Sequence, residues 1–167
     1  NAKSLEKARE QRLPKVISRV DMPSILFFLG ILMAVAVLQS TGVLKWLAAS
    51  LDEHVHNVYV IDSLLGVLSS IVDNVPLVAA SMGMYPVADP AATGYAANFV
   101  VDGTFWELLS YCAGVGGSIM IIGSAAGVIA MGLEKISFGW YLRKFSALAL
   151  AGYFSGVIVY MIEKMIF

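Results

Sequence analysis

Residues 58–86 read VYVIDSLLGVLSSIVDNVPLVAASMGMYP. The first apolar stretch, VYVIDSLLGVLSSIV, is about 15 residues long, enough to enter a bilayer and short of the roughly 20 that a helical crossing needs. It runs into Asp73-Asn74-Val75-Pro76, and a second, shorter apolar stretch, LVAASMGMY, stops at Tyr85-Pro86. Two short helices about a polar turn predict a re-entrant helical hairpin over 58–86. Such backbone is tolerated at membrane depth only where protein or a watery cavity covers it.

Composition agrees with a membrane setting. Of 167 residues 59% are apolar and 14% charged, and the mean hydropathy is +0.79. Soluble domains average about 45–50% apolar and about 25% charged, and a chain this small could not hide the excess from water. The net charge of −1 offers phosphate no general attraction, so nucleic acid is not an expected partner and membrane lipid is. Cys112 stands alone, which leaves no intrachain disulfide or zinc cluster and reads as a small buried side chain. The predicted class is an all-α membrane protein. The chain opens at Asn1 with no signal-peptide pattern and is expected to be the C-terminal part of something larger.

Outward from the hairpin, residues 1–22 form a polar, interfacial segment with six Lys/Arg among the first 21, and 23–167 form the transmembrane domain. A first helix is predicted over 24–44, with Pro23 well placed at its start. Lys45 and Trp46 read as interfacial and 51–57 (LDEHVHN) as a wet loop. Residues 105–133 hold Gly114, Gly116, Gly117, Gly123, Gly127 and Gly132, and each Gly costs a helix interior about 1 kcal/mol. A helix broken at the GVGG of 114–117 is predicted, with close packing through small residues as the competing account. A last helix spans 145–163. The basic segments 1–20 and 134–144 are predicted cytoplasmic and the loop 86–104, which has no Lys or Arg, outside. The parity of crossings then closes.

Asp73 carries the most chemistry. A carboxylate at membrane depth is costly and usually functional. Ser69, four residues earlier, shares a helical face with it, so Ser69, Asp73 and Asn74 offer oxygen donors suited to a hard cation. The alternative, Asp73 capping the second hairpin helix, is compatible with that role. Ser118 and Ser124 flank the predicted break, where freed backbone groups can also bind ions. Asp62 lies 11 residues, three helical turns, before Asp73, so the two share a face, and Asp62 is expected to line the outer approach or to sit at the interface. Glu107 and Asp21 read as acids near helix starts. His54 and His56 are solvated loop residues with a pH sensor as the sharper option. Trp106, Trp140 and Tyr141 read as interface anchors. The glycines do not make a dinucleotide fingerprint, since no βαβ unit surrounds them. No metallohydrolase or Ser-His pattern lies at membrane depth, so an enzyme is not expected and no resident cofactor is called for.

Three strings, DMPSILFFLGILMAV (21–35), SSIVDNVPLVAASMGMY (69–85) and AGVGGSIMIIGSAAGVIAMG (113–132), resemble in order and spacing the C-terminal half of NhaD-type sodium/proton antiporters of the ion transporter superfamily. The resemblance implies one half of an inverted-repeat transporter, each half with a re-entrant hairpin and a broken helix. On that template Ser69, Asp73 and Asn74 fall on the hairpin-tip motif, Ser118 and Ser124 on the broken-helix motif, and Asp21 more weakly on a further acid. The Asp-Asn motif of the first repeat is missing from this chain. The resemblance also implies a homodimer and, by default, the inner (plasma) membrane of a bacterium. The expected activity is exchange of Na⁺ or Li⁺ for H⁺, with Asp73 alternately holding cation and proton. The alternative is an anion transporter for dicarboxylates, citrate or arsenite, and a non-transporting membrane scaffold is the reading from another class.

Overall fold

The computed structural model describes residues 22–166; the segment 1–21 and with it Asp21 lie outside the described residues. The described residues are helical, with no strand among them. Two compact units divide at Ala34/Val35. The first contains most of α1 (Met22–Ser40), a helix apolar over nearly its whole length.

The second unit begins in the last turns of α1. After Ser40 the chain turns through Gly42, whose φ of 79° is the left-handed conformation that favours glycine. It continues directly into α2 (Val43–His54). Helix α2 corrects the reading of 51–57 as a loop: the polar LDEH completes an amphipathic helix whose Leu44 and Ala48, one turn apart, are buried.

Helices α3 (Val58–Leu68) and α4 (Asn74–Met84) form the hairpin about the turn at 69–73. The Asn57 side chain caps α3 by accepting from the Val60 amide. A single 3₁₀ turn (Gly94–Phe99) lies in the following loop, where Tyr85, Phe99 and Phe105 stack into one aromatic cluster. Then come α5 (Thr104–Gly116), an irregular stretch at 117–124, α6 (Ala125–Leu133), the short α7 (Phe138–Lys144) and α8 (Ser146–Ile166). Among the described helices α8 alone is long and apolar enough by itself to cross a membrane; α1 and α2 meet the length and composition test as a pair.

Helix α5 is the centre of this unit. It packs chiefly on α3 and also touches α4, α8 and the 3₁₀ turn, while α4 rests on α2 and α8 rests on α3 and α7. Glycine makes the α3–α5 seam possible. A Cβ on Gly116 would collide with the Gly66 carbonyl, and one on Gly66 would lie 2.7 Å from the Cys112 Cβ. Small residues that let helix backbones approach are the usual glue of helices in lipid. The hydroxyl of Tyr153 on α8 donates to the Ser63 carbonyl on α3 at 2.8 Å, and an ion pair of Lys164 with Glu107 at 2.8 Å ties α8 to the start of α5. Glu107 thus has a partner beyond the helix dipole that its position in the first turn suggests.

Candidate functional site

The turn of the hairpin meets the break of the second helix. Helix α3 ends at Leu68, and Ser70, Ile71 and Val72 close a tight turn by donating their amides to the carbonyls of Val67 and Leu68. The fully buried Ser69 hydroxyl donates to the Ala113 carbonyl on α5 at 2.8 Å. Gly123, in the break, lies so close to the hairpin that an added Cβ would collide with the Ser69 carbonyl and come within 2.7 Å of Ser70. The pairing of hairpin turn and broken helix is therefore built from backbone, with one buried hydroxyl across it. Ser69→Ala is expected to lower thermal stability in detergent by about 1 kcal/mol, the usual worth of an interhelical hydrogen bond in a membrane protein.

Asp73 is the N-cap of α4. Its Oδ1 accepts from the Asn74 amide at 3.0 Å, and Oδ2 carries no hydrogen bond among the described residues. Both Asp73 and Asn74 are half-buried. Pro76 sits in the first turn of α4, where its missing N–H costs nothing. Asn74 opens onto a cavity of about 450 Å³ between α4 and α5, lined mainly by apolar side chains such as Val78, Met82, Trp106 and Leu109. Because α3 stops at Leu68, the shared helical face expected for Ser69 with Asp73, and for Asp62 with Asp73, does not extend to the turn. Ser69 faces α5 and is sealed, whereas Asp73 keeps one oxygen available.

The helix break begins at the last residue of GVGG and runs on to Ser124. Gly114 and Gly116 stay inside α5, and the irregular stretch begins at Gly117. Gly116 is small because it packs on Gly66, and a Cβ on Gly117 would come within 3.0 Å of the Gly123 carbonyl across the break. Ile121 turns the chain with φ 58°, a conformation unfavourable for a β-branched residue and costing about 1–2 kcal/mol. Ser124 restarts the helix: its Oγ accepts from the Gly127 amide at 3.1 Å. Ser118 is exposed. Its hydroxyl donates to the Val115 carbonyl at 2.7 Å, and its own carbonyl accepts from Tyr141 of α7 at 2.7 Å. No hydrogen bond among the described residues joins Ser118 or Ser124 to Asp73 or Asn74. The fold brings Ser69, Ser70, Gly123 and Ser124 into one neighbourhood at the hairpin turn and leaves Ser118 at the other end of the break.

Among the described residues no three His, Cys, Asp or Glu side chains gather as a metal cage. The oxygens on offer are one carboxylate, hydroxyls, an amide and freed carbonyls, a set for a weakly held hard cation. The structure adds the surroundings of two acids. Asp62 is fully buried, not placed at the interface or on an approach. Asp52 accepts the hydroxyls of Tyr95 at 2.9 Å and Tyr85 at 3.3 Å. In the loop after α4, burial first and then the bond to Asp52 hold the Tyr95 phenol above its ordinary pKa, so it stays a donor. His56 stacks on the Tyr95 ring at 4.3 Å. Alternation of residue types could have flagged neither group, since both arise from contacts between elements distant in the chain.

Comparison with known proteins places this geometry. The family model for citrate transporters, CitMHS, matches residues 3–102. The chain is 49% identical over 150 residues to "Sodium/proton antiporter 2" of Arabidopsis thaliana, covering 90% of this chain and 34% of that protein. It is 34% identical over 149 residues to "Na(+)/H(+) antiporter NhaD" of Alkalimonas amylolytica (87% and 27%) and 32% identical over 148 residues to that of Vibrio cholerae (87% and 28%). The chain spans about a third or less of the length of these relatives. No solved structure matches it. The hairpin and the broken helix thus sit in a segment of a multi-pass membrane protein, and the chain belongs to the citrate transporter (CitMHS) family, with the likeness to NhaD-type and plant sodium/proton antiporters that its motifs display.

Proposed function

We propose that this chain is the second half of a secondary transporter that exchanges Na⁺ or Li⁺ for H⁺, and that Asp73 alternately holds the cation and the proton. The observation that carries the reading is Asp73, half-buried with one carboxylate oxygen unengaged, in a turn whose Ser69 and Ser70 lie against Gly123 in the break of the second helix. A proton and a cation cannot both occupy the same carboxylate oxygens, so the two ions compete for one group without a separate relay. Cytoplasmic Na⁺ displaces the proton, the loaded site reorients, and outside protons displace Na⁺. Alternating access moves one structural unit against another about the site.

In this reading the hairpin 58–86 is re-entrant. The missing first repeat, which would bring its own hairpin and helix break, covers the apolar cavity between α4 and α5 and completes the ligand shell with Asn74 and Ser124, while Ser69 and Ser118 would have to leave their present partners to join it. The assembly is a homodimer in the membrane, transporting rather than catalysing and using no resident cofactor. In a bacterial cell it occupies the inner membrane with 1–20 and 134–144 on the cytoplasmic face. The relatives named as sodium/proton antiporters support cation exchange.

The family description favours a second reading, transport of citrate or a similar anion. Two features weigh against it. The hairpin turn presents a carboxylate, which repels an anion, and no Lys or Arg lies between Lys45 and Lys135 to compensate. The test is ion-driven proton movement in everted vesicles holding the full-length protein. Dequenching of a ΔpH dye on adding Na⁺ or Li⁺ is expected; no response to any alkali cation, with citrate uptake instead, would overturn the antiport reading.

A further inference from the structure

Asp62 is the second carboxylate of the hairpin, and its setting differs from that of Asp73. It is 0% exposed, and neither of its oxygens has a hydrogen-bond partner among the described residues. One turn on, Gly66 lies against Cys112 and Gly116 of α5 and against the Tyr153 hydroxyl of α8; two turns on, Ser69 bonds to Ala113. Asp62 is therefore on the face of α3 that α5 and α8 close over. This chain alone seals it, so the rest of the protein is not needed to bury it.

An ionised carboxylate so placed, with no partner, is very costly. The titratable groups near enough to interact with its charge are Cys112 on α5, Tyr153 on α8, and Tyr85 and Tyr95 in the loop after α4. Each tyrosine hydroxyl is engaged elsewhere: Tyr153 donates to Ser63, and Tyr85 and Tyr95 donate to Asp52 of α2. No Lys or Arg occurs from residue 46 to 134, and Lys164 is paired with Glu107. Among the described residues no cationic group neutralises Asp62, which leaves a proton to do so. A hard cation asks for several oxygen ligands, and the oxygens that lie against Gly66 one turn along, the Tyr153 hydroxyl and the Cys112 carbonyl, are too few, the former already donating to Ser63.

We propose that Asp62 is a second proton-binding site of the transporter, distinct from Asp73: its carboxyl holds a proton while α3 is sealed against α5 and α8, and yields it to water when that face opens. The proton leaves the carboxyl oxygen for a water molecule and the carboxylate remains, hydrated, until the face closes on a new proton. The carboxyl lies near the Asp52–Tyr85–Tyr95 cluster, which the charge pattern puts on the outer side, so exchange with outside water is the shorter route. The proton-coupling part of this proposal rests on the antiport reading above; the occupancy of Asp62 does not.

Infrared spectra of the reconstituted full-length protein at neutral pH test the occupancy. A carbonyl-stretch band of a protonated carboxylic acid is expected, lost in Asp62→Asn and retained in Asp73→Asn. Should Asp62→Asn fail to insert, Asp62→Glu is expected to shift that band. Proteoliposome assays test the coupling: Asp62→Asn should still exchange, with fewer protons moved per Na⁺ than wild type. A band that neither substitution at position 62 alters overturns the proposal. So does an unchanged proton count per Na⁺ in Asp62→Asn while wild type exchanges. Absence of Na⁺-driven proton movement in wild type would instead overturn the antiport reading, with the infrared band still deciding whether Asp62 carries a proton.

Discussion

Asp73→Asn in the full-length protein is expected to reduce Na⁺-driven proton movement to the background of vesicles lacking the protein, with insertion and stability unchanged. The substitution isolates charge from structure. Asp73 caps α4 through Oδ1, which accepts from the Asn74 amide. Asn is as good an N-cap as Asp, so its carbonyl oxygen can keep that bond and α4 can still start at residue 74. What disappears is the titratable group, and with it any means of trading a cation for a proton at this point. Asp73→Ala is a poorer probe, because it also removes the cap, at a typical cost of about 1 kcal/mol. Undiminished exchange in Asp73→Asn, measured by the dye response in everted vesicles, would remove Asp73 from the mechanism.

Gly116→Ala is expected to destabilise the protein by about 1–3 kcal/mol, the range for overpacking a tight contact. Its neighbour in the same GVGG string, Gly114→Ala, should cost nothing or stabilise α5 slightly. The two glycines are alike in sequence and opposite in surroundings. A Cβ on Gly116 meets the backbone of Gly66, which has no side chain to move aside, whereas a Cβ on Gly114 meets nothing within 4 Å. Replacing Gly by Ala in an unobstructed helix gains up to about 1 kcal/mol. Thermal unfolding in detergent separates the two. Because the α3–α5 seam also positions Ser69 and Gly123, Gly116→Ala should lose exchange as well as stability. Equal tolerance of both substitutions would contradict the glycine seam.

This pair also shows what the sequence could and could not convey. The glycine cluster marked the right helix as broken, and the polar residues at Asp73 marked the turn between two short helices, because Gly, Pro and Asn act locally on the backbone. Which glycines serve packing and which serve the break depends on α3, some 50 residues away in the chain. Gly114 and Gly116 therefore drew the break too early, and nothing about an isoleucine announces that Ile121 will take φ 58°. The helical face argued for Ser69 and Asp73 failed for a local reason: α3 ends at Leu68, and a periodicity carried past a helix end has no meaning. Helix α2 was legible in principle, since Leu44, Ala48 and Leu51 repeat at i, i+4, i+7, and the charged LDEH masked that repeat. The sealing of Asp62 required α5 and α8 to be placed and was not legible at all.

The central claim is that one carboxylate serves both ions. The direct measurement is the apparent Na⁺ affinity of full-length protein in proteoliposomes as a function of pH, for wild type. Single-site competition requires the half-saturating Na⁺ concentration to rise about tenfold for each unit that pH falls below the pKa of the carboxyl, levelling off above it. A half-saturating concentration that stays constant across that range would contradict a shared site at Asp73 and require Na⁺ and H⁺ to bind at separate places.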